Sequence, residues 1–496
     1  MQNFLLFVLF ISLFLGCNQS KVNEGIIIGI EGNIEFLNPV ISLGAEHAII
    51  QNQIFETLLH IGKSNQIEAN LAEIWNISED LKEYDFRLKS NVFFHDGSRL
   101  TSESIKSSIK DYKTKNQSLF TNLFKSITIK DSLNFKLNLH EPSSSFVYLL
   151  TSPFYLLIGK ENRDSTKIDF GDYVGTGPYY VHSRIDPKTI KLKKNMKYRE
   201  IHNSSIQNII IKYNLGSEES ENELSEGELD ILYAVSGNKI DRLKWEGKID
   251  YLSQVPKSTI FIGFNNESKM FKNRLTRKRF RNVLELDKLV YNLNRGNAVL
   301  SNGPLPPIYD INLNMEPSFE ESELYKIQKY RNDNDPMTVK FYFPKVAFTR
   351  RTIIEYLKSA FSKIGVQLEI VEFDTWKTHD AAIKSDSAEL FIDTYSAEVL
   401  GDPVNFLFSM FHSQSDKNTL HYHNPRVDKL IDQAIREKNI DVRRNIYSEI
   451  LDLISDDTPA IFLFHVKPHF AYRTAKIKKL VVNKYGIIQF HRSFLN

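Results

Sequence analysis

Gly175-Thr176-Gly177-Pro178-Tyr179 is the stretch on which the fold is decided. Two glycines within three residues predict a place where the backbone turns, since glycine tolerates conformations closed to other residues. Toward the N-terminus, Phe135 to Leu139 and Tyr84 to Leu88 alternate with period two and predict half-buried strands. Asp96-Gly97 after Phe93-Phe94-His95 predicts a turn. Gly25 to Ile30 is a short β-branched run and predicts a buried strand. Thr101 is placed to cap a helix whose apolar face carries Ile105, Ile109 and Tyr112. Toward the C-terminus, Ile353, Leu357, Phe361 and Ile364 form an apolar stripe closed by Gly365, and Val366 to Val371 then predicts a strand. Val427, Leu430, Ile431 and Ala434 mark one helix, and Val442, Ile446, Ile450 and Leu453 the next. Asp457-Thr458-Pro459 stops it before a strand from Ala460 to Phe464. Helices thus alternate with strands, which predicts an α/β chain with several sheets.

The 496 residues exceed one compact domain and suit two or three, with no compositional linker or fixed-period repeat between them. Sixty-three basic side chains against 61 acidic ones leave a net charge of +2, so a basic surface for nucleic acid is not expected. The runs around Lys193 and Glu219 read as solvated faces. No G-x-S-x-G elbow, H-E-x-x-H pair or Walker loop occurs, and no enzymatic role or cofactor is expected, although paired carboxylates leave no such signature.

Cys17 is the one cysteine, which precludes an internal disulfide. It follows an apolar run from Phe4 to Leu15, which as a helix would reach about 18 Å, short of a hydrocarbon core of about 30 Å. That run has the length of a signal-peptide core. Its end, Leu13-Phe14-Leu15-Gly16-Cys17, resembles a bacterial lipobox. The resemblance implies a signal peptide over 1–16, lipidation of Cys17, and a chain held on a bacterial membrane in the periplasm or at the cell surface.

Nine patterns, in one order, resemble the family 5 solute-binding proteins, the peptide- and nickel-binding lipoproteins of ABC importers. They are Ile54 to Leu59 (like a "YEGL" helix), Ala69 to Trp75, Val92 to Gly97, Leu100 to Ile105, Gly175 to Tyr179 ("GTGPY"), Ile262 to Asn265, Asn302 to Pro307, Asp402 to Leu407 and Asn424 to Asp428. The resemblance implies a two-lobe periplasmic-binding-protein fold of the class II, cluster C type with an extra inserted subdomain. Lobe I would comprise 17–40, 175–260 and 471–496, the insert 41–174, and lobe II 261–470, with two crossover strands as hinge. It further implies a monomer that captures peptides between its lobes and delivers them to ABC permease subunits.

A bound peptide buries an ammonium and a carboxylate, each costing several kcal/mol unless paired. In peptide-binding relatives an acid just before a "DP" motif takes the amine, which implies that role for Glu398 ahead of Asp402-Pro403, with Tyr395 in the place of a tryptophan. In some relatives a paired arginine opening the helix before "KIG" holds the carboxylate, which implies that role for Arg350 or Arg351. Trp376 and Tyr395 are candidates to stack on ligand side chains. Asp402 is expected to cap the following helix, and His95 to be a hydrogen-bonded turn residue. The rival reading is a receptor for a metal chelate such as nickel, since His421 and His423 in a strand would share a face. A surface sensor on the same fold is a third reading.

Overall fold

The structure is a computed structural model. It describes residues 25–34, 37, 40, 45–62, 64–115, 119–161, 173–200, 206–235, 243, 248–294, 298–309, 311, 337–345, 350–385 and 388–496. Cys17 and the apolar run before it lie outside the described residues.

Two large sheets organise the chain. The first has seven strands in the order Tyr179–Asp186, Thr189–Lys194, Asn208–Tyr213, Gly25–Ile30, Ile231–Val235, His469–Arg473, Ile249–Ser253. Gly25–Ile30 is central and pairs in parallel with both neighbours, which is why it reads as an unbroken β-branched run. The helix Ala45–Ile54 lays Ile49, Ile50 and Ile54 into the core of this sheet.

The second sheet has six strands in the order Ala298–Leu300, Ala460–Val466, Ser258–Phe264, Leu390–Ser396, Met337–Pro344, Val366–Phe373. Alternation along its strands feeds two cores. Leu390 and Ile392 face one core with Leu357 and Phe361 of the helix Arg350–Ser362. Phe391 faces the other with Phe261, Tyr342 and the helices Val404–Phe411, Pro425–Arg436 and Ile440–Asp457. The chain passes between the two sheets twice, through 254–257 and 467–468, and the amide of Gln254 donates to the carbonyl of Pro468 at 2.9 Å, tying the passages together. A smaller antiparallel sheet, Ala72–Ile77, Glu83–Leu88, Asn134–Leu139 and Phe124–Ile129, carries its own core under the helix Ser102–Lys115.

Three expectations need correction. The helix expected over Ile54 to Leu59 ends at Ile54: Glu56 leaves it to bridge Ile158, and its carboxylate forks onto Arg199 at 2.7 and 2.8 Å, both side chains buried. The chain does bend at Gly177-Pro178, but Gly175 and Gly177 are needed for close approach rather than for a conformation closed to other residues. A Cβ on Gly175 would lie 1.9 Å from the Ile54 carbonyl oxygen, and one on Gly177 2.5 Å from that of Gln53, and neither glycine adopts a positive φ. His421 and His423 lie outside any strand, and His421 has a left-handed backbone (φ 48°), so strand alternation does not bring them to one face.

Candidate functional site

Three neighbouring strands of the six-stranded sheet, Leu390–Ser396, Met337–Pro344 and Val366–Phe373, run parallel, so their carboxyl ends share one edge. In open α/β sheets ligands bind in the crevice outside that edge. Each strand delivers an expected residue there. Met337–Pro344 leads into the helix opened by Arg350 and Arg351. The side chains of those two arginines lie outside the described residues. Val366–Phe373 leads to Trp376, the first residue of a helix capped by Thr375, whose hydroxyl accepts from the Thr378 amide at 3.1 Å. The indole is 38% exposed and meets the buried His379 ring edge-on at 5.8 Å. Leu390–Ser396 carries Tyr395 near its end and Glu398 just beyond it.

The loop bearing Glu398 is fixed along its length. The Ala397 amide donates to the Lys257 carbonyl at 2.8 Å. Ser152 Oγ donates to the Glu398 carbonyl at 2.6 Å, and Tyr309 Oη to that of Val399 at 2.9 Å. Gly401, at φ +87°, packs on Tyr148 and Ile61. Asp402 then accepts from the Val404 amide at 3.0 Å, from Arg443 at 2.8 Å and from Tyr447 at 2.7 Å. It takes the first amide of the helix Val404–Phe411 from one residue outside the Pro403 cap position, and anchors the loop within the core. The Glu398 side chain remains 48% exposed, accepts from Tyr155 Oη at 2.7 Å and lies 3.8 Å from Lys417 Nζ.

Tyr155, Tyr309, Tyr395 and Tyr485 lie around this loop besides Tyr148 and Tyr447, and the sequence singled out Tyr395 alone. Tyr395 packs edge-on against Phe406 at 4.9 Å. Burial first, then the nearby Glu398 carboxylate, raises the Tyr155 phenol well above the usual range. Tyr309 is raised likewise by burial and by Tyr395. Tyr485 Oη lies 2.9 Å from Thr151 Oγ1, and its carbonyl accepts from Lys257 Nζ, which burial lowers to about 8. Phenols held neutral beside an acid offer donors and flat apolar faces together. Tyr155 is separated from Glu398 by 243 positions, and no spacing rule signals such a pair.

The expected histidines fall elsewhere. His421 and His423 line a surface pocket of about 380 Å³ with Glu267, Lys384 and Asp416. Among the described residues no group of three or more His, Cys, Asp or Glu side chains could hold a metal ion. His95 donates through Nε2 to the Gly177 carbonyl at 3.0 Å, as a turn residue would.

A sequence profile of the bacterial extracellular solute-binding proteins, family 5, matches residues 66–418. The chain belongs to this family. As a family 5 protein it is a substrate-binding component of transport in a family that works outside the cytoplasm. It is 23% identical over 455 residues to the glutathione-binding protein of Pectobacterium atrosepticum, covering 88% of each chain. The dipeptide-binding protein of Pseudoalteromonas sp. SM9913, solved with Met-Leu, superposes with a TM-score of 0.79 at 19% identity, covering 95% of this chain and 100% of that one. NikZ of Campylobacter jejuni, solved with Ni(L-His), gives 0.76 at 20% identity, covering 94% and 97%. These likenesses establish the two-lobed periplasmic-binding-protein fold for the family 5 chain.

Proposed function

We propose that this family 5 protein captures peptides in the crevice at the carboxyl ends of the three parallel strands and hands them to the permease of an ABC importer. The observation that carries this reading is Glu398, an exposed carboxylate on a fixed loop, oriented by Tyr155 and flanked by Tyr395. A peptide ammonium replaces the weak approach of Lys417 there, while Arg350 or Arg351, across the strand ends, receives the carboxylate. Backbone pairing between those poles gives affinity with little dependence on sequence. The relatives that bind glutathione and Met-Leu support the same ligand class.

The lobes are centred on the two large sheets: 17–40, 175–260 and 471–496 form lobe I, 261–470 lobe II, and 41–174 the insert. The passages at 254–257 and 467–468 act as the hinge. The protein works as a monomer without cofactor or catalytic step, and a lipid on Cys17 holds it to the membrane. Glu398→Ala is expected to weaken binding of a dipeptide mixture at least tenfold, about 1.4 kcal/mol, in calorimetric titration. Unchanged affinity removes Glu398 from the site. The pocket holding His421 and His423 motivates the second reading, a metal-chelate receptor, and titration with nickel and histidine in the same calorimeter separates the two.

A further inference from the structure

Asp393 lies on the strand Leu390–Ser396, three residues before its carboxyl end. Alternation puts it on the face of the sheet shared by Phe391 and Tyr395, and its register partner across the sheet is Phe261. This face is lined by aromatic rings: Phe391, Phe261, Tyr342 and Phe462. The half-buried carboxylate accepts one hydrogen bond, from the Thr394 amide at 2.7 Å to Oδ1. It forms no ion pair among the described residues, and the charge that acts on it is the like charge of Asp380 on the helix Trp376–Ile383. Burial is the larger influence and raises the carboxyl to about 7. A carboxylate on an aromatic face demands a proton or a cation. The buried acids named above each have one: Glu56 has Arg199, and Asp402 has Arg443.

We propose that Asp393 is a second acid of the ligand crevice and receives a cationic side chain of the bound peptide, so that the receptor prefers peptides carrying lysine or arginine. This rests on the peptide reading and deepens it. Glu398 takes the ammonium at the chain end; Asp393, five positions earlier and two before Tyr395 on the same face, lies near the carboxyl end of its strand, within reach of a neighbouring side chain. The rings accommodate the methylene stem and the carboxylate neutralises its tip.

The test is calorimetric titration of the mature protein and its Asp393→Asn variant with Ala-Lys-Ala and with Ala-norleucine-Ala, which share a stem and differ in charge. The wild type is expected to bind the lysine peptide at least tenfold more tightly, and the variant to show a preference below threefold. Equal affinities in the wild type overturn the role of Asp393 while leaving peptide capture intact, whether or not the variant folds. An undiminished preference in a folded variant does the same. If neither peptide binds the wild type, the peptide reading falls and this inference with it.

Discussion

His465 shows how a single side chain couples this fold to pH. It sits 3% exposed on the strand Ala460–Val466, with Nδ1 3.1 Å from Thr259 Oγ1. Burial lowers its pKa to about 4. Above the ordinary histidine value of about 6.5 it is neutral in both folded and unfolded chains and has no effect. Between about 6.5 and 4 the unfolded chain binds a proton that the folded chain refuses, so stability falls as pH falls. At pH 5 the loss from this group is about 2 kcal/mol, on the scale of about 1.4 kcal/mol per unit. Urea unfolding at pH 7 and pH 5 is expected to show that much less acid sensitivity in His465→Gln than in the wild type; equal sensitivity would place the proton elsewhere. Residues of this kind are hard to read from sequence. His465, Asp393 and Tyr155 owe their properties to neighbours more than 100 positions away, or to an absent counter-charge, and neither leaves a local pattern.

Elements were more legible than residues where a single periodicity governed them. The strands Gly25–Ile30, Glu83–Leu88, Asn134–Leu139 and Val366–Phe373 follow their hydrophobic patterns to within two residues. The helices Pro425–Arg436 and Ile440–Asp457 begin at asparagine caps, and the second stops at Thr458 in a left-handed conformation, before Pro459. What periodicity missed was tertiary demand. The resemblance at Ile54 to Leu59 implies a helix, but the Glu56–Arg199 pair and the close pass of 175–177 over the helix end require the chain to leave it at Ile54. That pass supplies its own test. Gly175→Ala sets a methyl against the Ile54 carbonyl at 1.9 Å, backbone against backbone, with nothing flexible to yield. A loss of about 1–3 kcal/mol is expected in urea unfolding, as for other overpacked sites. Gly216→Ala, whose nearest neighbours stand 3.5 Å and more away, is the control and should cost well below half of that.

At the scale of the molecule, the fold was legible because nine short motifs keep one order across most of the chain, and profile and superposition agree with that reading. The candidate site was legible only in outline. Glu398, Tyr395, Trp376 and the start of the Arg350 helix do gather at one sheet edge, because three parallel strands end there. The stretch 143–155 reaches across to the same region: the Ser144 amide donates to the Ile435 carbonyl at 2.8 Å, and Ser152 and Tyr155 hold Glu398. On the proposed reading a peptide entering this crevice meets the stretch 143–155 as well as the strand ends, and its release requires the hinge passages to open.

Native mass spectrometry of the protein purified from peptide-rich medium tests that account most directly. Peptide capture predicts the chain mass plus a few hundred daltons of peptide, released on unfolding and restored by adding a mixture of two- to five-residue peptides. A chain that carries no peptide under either condition, or that carries a nickel chelate in its place, would contradict it.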